Sequence, residues 1–182
     1  AWDSRQMDVV NQLMPTLTTY PLYPYLQYRQ ITDDLMNQPA LVVTNFIAAN
    51  PTLPPARSLK SRFVNELARR SDWRGLLAFS PDKPTGTEAQ CNYYYAKWNV
   101  GQAQEAWDGA KALWLSGKSQ PNACDQLFGA WRASGQQDPL AYLERIRLAM
   151  KAGNTSLVRV LAQQMPADYQ TISTAVIALA ND

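Results

Sequence analysis

A chain of 182 residues, 46% apolar and 18% charged, can bury a core of its own, and this composition excludes an intrinsically disordered protein. The net charge of +2 is too small to indicate a nucleic-acid partner, and no apolar run is long enough to predict a membrane span. The absence of histidine excludes a Ser-His-Asp triad and an HExxH zinc site, no glycine-rich phosphate loop occurs, and we predict no cofactor and no metal.

Between its twelve prolines the chain repeats apolar residues at intervals of three and four, which is the period of an α-helix. No hairpin dipeptide and no sustained alternation occurs, so we predict no strand. Short connections predict that consecutive helices are antiparallel neighbours. The predicted fold is all-α, with helices at about 1–13, 22–36, 38–49, 54–70, 72–79, 87–100, 102–116, 122–134, 138–152, 154–165 and 169–180.

Local signals mark several of these helices. Thr87 and Gln90 have the spacing of a capping box, and Asp138 before Pro139 is typical of a helix start. Segments 93–113 and 144–164 both run from a helix through glycine and a polar amide residue into a second helix, which is typical of helical-hairpin repeats. On helix 138–152 the apolar spacing predicts an amphipathic face made of Leu140, Leu143, Ile146, Arg147 and Met150.

The segment from Cys91 to Trp107 is unusually aromatic. On a helix, four of its side chains fall on one side and Lys97 faces water. Because aromatic residues at helical spacing usually belong to a core, we interpret them as scaffold. Flat rings with polar tips also suit a sugar-binding platform, so that alternative stays open. The four side chains are those of Cys91, Tyr94, Tyr95 and Trp98.

The chain has two cysteines, Cys91 and Cys124, which are too few for a metal centre. They are either buried thiols or one disulfide, and the composition does not decide between these. A disulfide closing a loop of this length would add about 3.7 kcal/mol of stability in the chain-entropy description.

Basic residues dominate the stretch from 57 to 74. The pattern is typical of a solvated helix face, in which Glu66 and Arg70 are spaced as an i,i+4 ion pair. It also fits a patch that binds a polyanion or a carboxylate-bearing polymer. The candidate binding residues are Arg57, Lys60, Arg62, Arg69, Arg70 and Arg74.

The four glutamates, Glu66, Glu88, Glu105 and Glu144, fall on separate predicted helices. A glycosidase needs one carboxyl in an apolar cleft and a second across the scissile bond. No pair in the sequence meets that requirement, so we predict solvated or capping roles for these side chains and no catalytic residue.

Longer strings in the chain include YPLYPYLQYRQITDDLMNQP, SRFVNELARR, TEAQCNYYYAKWN and DPLAYLERIRLAMKAGNT. They resemble the N-terminal region of the soluble lytic murein transglycosylases of enteric bacteria, and the resemblance covers essentially all 182 residues. It implies a right-handed α-superhelix (solenoid) of short antiparallel helical hairpins, in which residues 1–182 form a single segment of a U-shaped domain. In that family a linker domain closes a ring, and a lysozyme-like domain holds the catalytic glutamate.

The motifs of the family's catalytic domain are missing from this chain. None of the four glutamates is followed by serine, and neither a GLMQ-type nor an AYNAGP-type segment occurs. No catalytic residue therefore carries over from the family. The resemblance does imply a disulfide between Cys91 and Cys124.

We therefore predict a non-catalytic scaffold fragment of a periplasmic enzyme, a carbon–oxygen lyase that cleaves the MurNAc–GlcNAc β-1,4 bond of peptidoglycan and leaves 1,6-anhydro ends. The predicted partner is the glycan strand, bound through the full-length protein. Because no signal peptide is present, we expect a trimmed piece of a longer secreted protein. Two alternatives remain, a helical-repeat module that binds another protein and a free-standing enzyme that uses an unrecognised carboxylate.

Overall fold

A computed structural model describes residues 2–179, and within them every regular element is a helix, which confirms the all-α prediction. No helix among these residues is long and apolar enough to cross a membrane. Short 3-10 helices lie at Met14–Leu17, Leu35–Asn37 and Ala167–Tyr169. The α-helices are α1 Met7–Leu13, α2 Tyr23–Asp33, α3 Ala40–Ala49, α4 Pro54–Arg69, α5 Trp73–Phe79, α6 Thr87–Asn99, α7 Ala103–Trp114, α8 Ala123–Ala133, α9 Pro139–Lys151, α10 Thr155–Gln163 and α11 Gln170–Leu179.

Two predicted helices extend at least three residues too far. The helix predicted from residue 1 begins only at Met7, because Arg5 has a φ of 55° in the left-handed region and cannot continue a right-handed helix. The helix predicted to residue 36 ends at Asp33, since Asp34 leaves the helical region with a φ of −134°. Residues 1 and 180, which the predicted terminal helices included, lie outside the described residues.

The chain divides into two compact units, residues 1–66 and 67–182. The first unit contains α1, α2, α3 and most of α4, and apolar side chains from all four helices form its core. At its surface Arg29 donates to Asp3 at 2.7 Å and lies 5.0 Å from the ring centroid of Trp2, which holds the start of the chain against α2. The core side chains are Val10, Met14, Ile31, Val43, Phe46, Ala56, Leu59, Phe63 and Val64.

In the second unit consecutive helices contact each other from α5 to α8 and from α9 to α11. Contacts also skip one helix, because α6 packs on α8 and α7 packs on α9. One continuous core runs through α6, α7, α8, α9 and α10, and it includes Trp114. The Trp114 ring is only 2% exposed, and its Nε1 donates to the Ala141 carbonyl oxygen at 3.0 Å.

A disulfide joins Cys91 on α6 to Cys124 on α8, as the family resemblance implied. Both cysteines are fully buried within the core of the second unit, and 33 positions separate them in the sequence. The bond therefore links two helices that α7 separates along the chain.

The two predicted helix starts have different outcomes. Asp138 caps α9 by accepting from the Leu140 amide at 2.8 Å, with Pro139 in the first turn, as predicted. The capping box at Thr87 is wrong, because α6 begins at Thr87 itself and its N-cap is Gly86 with a φ of 86°. Gln90 instead donates its side-chain amide to the Pro84 carbonyl at 3.0 Å. The turn at Gly86 therefore places the N-cap one residue earlier than the capping box predicts.

The buried face of α9 differs from the predicted one. Leu140 is 63% exposed, and Arg147 and Met150 also face solvent. Only Ile146 of the predicted set is buried, while Leu143 is half-buried. The buried residues are instead Ala141, Tyr142, Arg145, Ile146 and Ala149, so the helix is rotated to place a charged residue at the middle of its inner face.

Candidate functional site

Most of the aromatic cluster on α6 belongs to the core. Cys91 and Tyr93 are buried, and Tyr94 and Tyr95 are half-buried. The Tyr93 hydroxyl donates to the Pro81 carbonyl at 3.0 Å, so its polar tip is satisfied inside the protein. These contacts agree with the scaffold interpretation for the tyrosines.

A row of rings nevertheless reaches the surface of the second unit. Trp73 meets Tyr95 edge to face with ring centroids 5.2 Å apart, and Tyr95 lies 5.3 Å from Trp98. Trp98 in turn lies 6.2 Å from Trp107 and is 37% exposed. The rings are inclined to one another, so they do not form the coplanar platform that would stack a sugar chain.

The prediction that Lys97 faces water is wrong. Its side chain is only 14% exposed, because its ammonium group donates to Glu105 at 2.8 Å and lies 5.4 Å from the Tyr93 ring centroid. The hydrogen bond to Glu105 raises the pKa of Lys97, with burial acting in the opposite direction. A lysine stem can cover apolar surface in this way while its charge is paired at the rim.

Three of the candidate binding residues lie on the part of α4 that belongs to the first unit. Arg57 is exposed and Lys60 is half-buried. The Arg62 guanidinium hydrogen-bonds the Tyr28 hydroxyl and lies 5.9 Å from that ring's centroid. Arg62 is therefore engaged within the unit, whereas Arg57 presents its charge to solvent.

The other three candidates lie in the second unit. Arg69 and Arg74 are exposed and Arg70 is half-buried. Arg69 and Arg70 each already have an interaction partner in the protein. Assignment of any of the six basic residues to ligand binding stays a prediction.

The glutamates have the surroundings of structural side chains. Glu144 pairs with Arg147 at 2.6 Å on the surface of α9, and this hydrogen bond lowers the pKa of the carboxyl. A general acid needs the opposite shift, a pKa raised by an apolar pocket. Glu105 is held by Lys97, and Glu88 is exposed in the first turn of α6, where the helix dipole favours an acid.

A polar pocket of about 490 Å³ lies in the second unit, between α8, α9, α10 and the connection after α7. We call it the Arg145 pocket. Trp114 and Phe128 lie on one side, Leu161 on another, and the guanidinium groups of Arg145 and Arg132 both line it. The sequence pattern does not indicate this pocket, because Arg145 lies on a helix whose apolar spacing predicts a different buried face.

Arg145 is the most buried charged side chain in the part of the chain that is described, with 4% of its surface exposed. Its guanidinium carbon lies 4.2 Å from the Trp114 ring centroid and 5.5 Å from that of Phe128. Its Nε is buried and has no hydrogen-bond partner. Aromatic faces attract a cation but do not satisfy the N–H donors at its edge.

The guanidinium of Arg145 keeps its positive charge despite its burial. Burial lowers the pKa of Arg145 to about 10, while the nearby Tyr142 and Asp125 act in the raising direction. The group therefore stays protonated at neutral pH. Burial likewise raises the pKa of Tyr142, and the charges of Arg132 and Arg145 oppose that effect, which places two cations near one hydroxyl.

Comparison with known proteins gives close relatives over the whole chain. All 182 residues align with the soluble lytic murein transglycosylase of Escherichia coli (strain K12) at 81% identity and with that of Salmonella typhimurium at 79%. The chain matches a segment of these transglycosylases. It spans 28% of the length of each of the two relatives, and no protein-family model matches it.

Solved transglycosylase structures have the same fold in the matching segment. The 70-kDa soluble lytic transglycosylase of E. coli superposes on the entire chain with a TM-score of 0.96 at 81% identity, and the chain covers 29% of it. The complex of that transglycosylase with bulgecin A superposes on the chain with a TM-score of 0.95. An inactive mutant of the lytic transglycosylase of Pseudomonas aeruginosa matches 95% of the chain at 34% identity with a TM-score of 0.83, and 28% of that protein is covered.

Proposed function

We propose that this chain is a helical scaffold segment of a lytic murein transglycosylase. The observation that carries the proposal is the 81% identity over all 182 residues to the E. coli transglycosylase, combined with a TM-score of 0.96. The complete enzyme would cleave the MurNAc–GlcNAc β-1,4 bond of peptidoglycan and leave 1,6-anhydro ends. This segment would support the ring that holds glycan strands near a catalytic domain outside it.

The scaffold would be a right-handed α-superhelix, a solenoid of short antiparallel hairpins that residues 1–182 form as one segment. Contacts within the second unit support this arrangement, because its helices contact mainly their neighbours and the helices one further along. Arrays of helical hairpins bury their cores by such local contacts. The glycine turns of the repeated segments also fit, since Gly101 and Gly153 both have positive φ after a helix.

We place the protein in the periplasm. The buried disulfide between Cys91 and Cys124 supports this, because disulfides persist in oxidising compartments and are rare in the cytosol. The murein named for the relatives also lies in that compartment. The proposal includes no catalytic residue in this chain, since Glu144 and Glu105 are paired with cations at the surface.

An exchange experiment tests the scaffold proposal. In the E. coli transglycosylase, the matching 28% is replaced by this chain, and release of 1,6-anhydromuropeptides from purified murein is measured by mass spectrometry. We expect activity comparable to that of the unaltered enzyme, because 81% identity preserves the packing surfaces. We expect no release by the 182-residue chain alone.

The two arms of that experiment separate the alternatives. Product release by the chain alone would establish a free-standing enzyme and contradict the scaffold role. A folded but inactive exchange protein would mean that the segment serves another purpose, such as binding a partner protein. Circular dichroism and thermal melting of the exchange protein provide the control for folding.

Basic side chains of the 57–74 stretch would contribute to holding murein. Reversing Arg57, Lys60 and Arg74 to glutamate is expected to weaken binding of the chain to murein by about tenfold, through the loss of three charge contacts. Binding is measured by cosedimentation with purified sacculi at several salt concentrations. The matched control reverses the exposed lysines Lys111, Lys118 and Lys151, which changes the net charge equally. Equal loss of binding in the two variants would contradict a role for the stretch.

A further inference from the structure

A buried cation that forms no ion pair with any described residue is the least expected feature of the second unit. No hydrogen bond or ion pair within the described residues joins Arg145 to a carboxylate, and its Nε is unsatisfied. An unpaired guanidinium in a protein interior is costly, so such a group is usually paired or bound to something. The guanidinium lies over the rings of Trp114 and Phe128, which attract its charge but leave the N–H donors at its edge unsatisfied.

The surroundings of this guanidinium complete a polar recognition site. Arg132, on α8, lines the same pocket and is itself held by Gln164, whose side-chain oxygen accepts at 3.3 Å. Ser119 and Gln120 add further hydrogen-bonding groups from the connection after α7. Among the described residues Asp125 is the only carboxylate that lines the pocket, so the charges of its described lining sum to one positive charge.

We propose that the Arg145 pocket binds the carboxylate of a short peptide with small apolar side chains. Guanidinium groups recognise carboxylates through paired hydrogen bonds in one plane, and the two arginines converge on one cavity. Leu157, Val160 and Leu161 supply an apolar wall beside the charged end. A volume of about 490 Å³ accommodates a residue or two, in the range of small-ligand sites.

The charge balance favours a carboxylate over a phosphate. A net excess of one positive charge neutralises a monoanion, whereas a phosphate dianion beside Asp125 would remain under-compensated. The apolar wall on α10 would also be left uncovered by an inorganic ion. A peptide that ends in a carboxylate occupies both parts of the pocket.

This inference deepens the proposed function, because murein carries short peptides with free carboxylates. The inference rests on the proposed function only for the biological source of the peptide. The pocket itself is tested with defined peptides. Failure of the exchange experiment would leave the pocket proposal standing with a different peptide source. Failure of the peptide titration would leave the scaffold role intact.

The test is a titration of the isotopically labelled 182-residue chain with N-acetyl-alanyl-alanine, followed by two-dimensional NMR and calorimetry. We expect saturable shifts of the Arg145 Nε–H and the Trp114 indole N–H, which belong to two side chains that line the pocket. The same peptide with an amidated C-terminus should bind at least tenfold more weakly, since it lacks the charged acceptor. N-acetylglutamic acid amide tests a side-chain carboxylate, and inorganic phosphate tests the competing anion.

Variants assign the binding to the pocket. Arg145→Met keeps a side chain of similar length against the rings and should weaken peptide binding roughly tenfold or more. Arg132→Gln should weaken peptide binding several-fold. Arg147→Gln is the matched control, because this arginine lies on the same helix but faces solvent and pairs with Glu144. It should leave peptide binding unchanged.

The outcomes that overturn the proposal are equally defined. Equal binding of the acid and the amide, saturable binding of phosphate in preference to the peptide, or no binding at all would each contradict it. If Arg145→Met does not fold, Arg132→Gln decides the matter, since Arg132 is exposed and its replacement leaves the core intact. Unchanged peptide affinity in folded Arg132→Gln would then overturn the role of paired guanidiniums.

Discussion

Replacing Trp114 with alanine is expected to lower the free energy of unfolding by about 4 kcal/mol, within the range of large-to-small core substitutions at aromatic sites. The ring is nearly fully buried and meets Phe128, Trp131 and Tyr142 at centroid distances of 5.0, 6.3 and 5.1 Å. The variant also loses the hydrogen bond to Ala141 and the aromatic face on which Arg145 stacks. Urea unfolding followed by circular dichroism measures the change.

Trp98→Ala is the matched control for that measurement. The Trp98 ring is the same size but more than a third exposed, so its removal should cost about 1–2 kcal/mol, since the transfer term scales with the buried area. Trp114→Phe should fall between the two, because it keeps a buried ring and loses the indole donor. Equal losses for Trp114→Ala and Trp98→Ala would contradict the central position of Trp114 in the core.

Removing the disulfide should have an effect of similar size. The double replacement of Cys91 and Cys124 by alanine is expected to cost about 3.7 kcal/mol, because a loop of 33 positions is no longer closed in the unfolded chain. For a chain of this length such a loss lowers the melting temperature by about 7–15 °C. Calorimetry with and without a reducing agent measures the difference.

The reductant provides the internal control for the disulfide. It should lower the melting temperature of the unaltered chain to approximately that of the double variant, and it should leave the double variant unchanged. Equal melting temperatures of the unaltered chain and the double variant, measured without reductant, would mean that the bond adds nothing to stability in solution.

The disulfide also illustrates how far reasoning from single residues extends. Composition left the pairing of Cys91 and Cys124 open, because two cysteines in a helical chain are equally compatible with free thiols. The resemblance to a family decided it. Physical reasoning alone could not, since contact between α6 and α8 depends on how α7 folds back between them.

The sequence by itself determined the helical class of this protein, the approximate bounds of most helices and the absence of several catalytic chemistries. Proline positions and a period near 3.6 act locally, so they can be interpreted without knowledge of the fold. The cap at Asp138 is local in the same sense, because its carboxylate reaches an amide two residues away.

Only the tertiary structure decided which face of α9 is buried and that Lys97 is covered. Hydropathy assigns a charged residue to solvent, yet Arg145 is enclosed because Trp114 on α7 and Phe128 on α8 offer their ring faces to its guanidinium. Lys97 is covered because Glu105 on the next helix forms an ion pair with its ammonium group. In both cases the stabilising partner lies on another helix, and an energy that depends on such a partner exists only after the helices have packed.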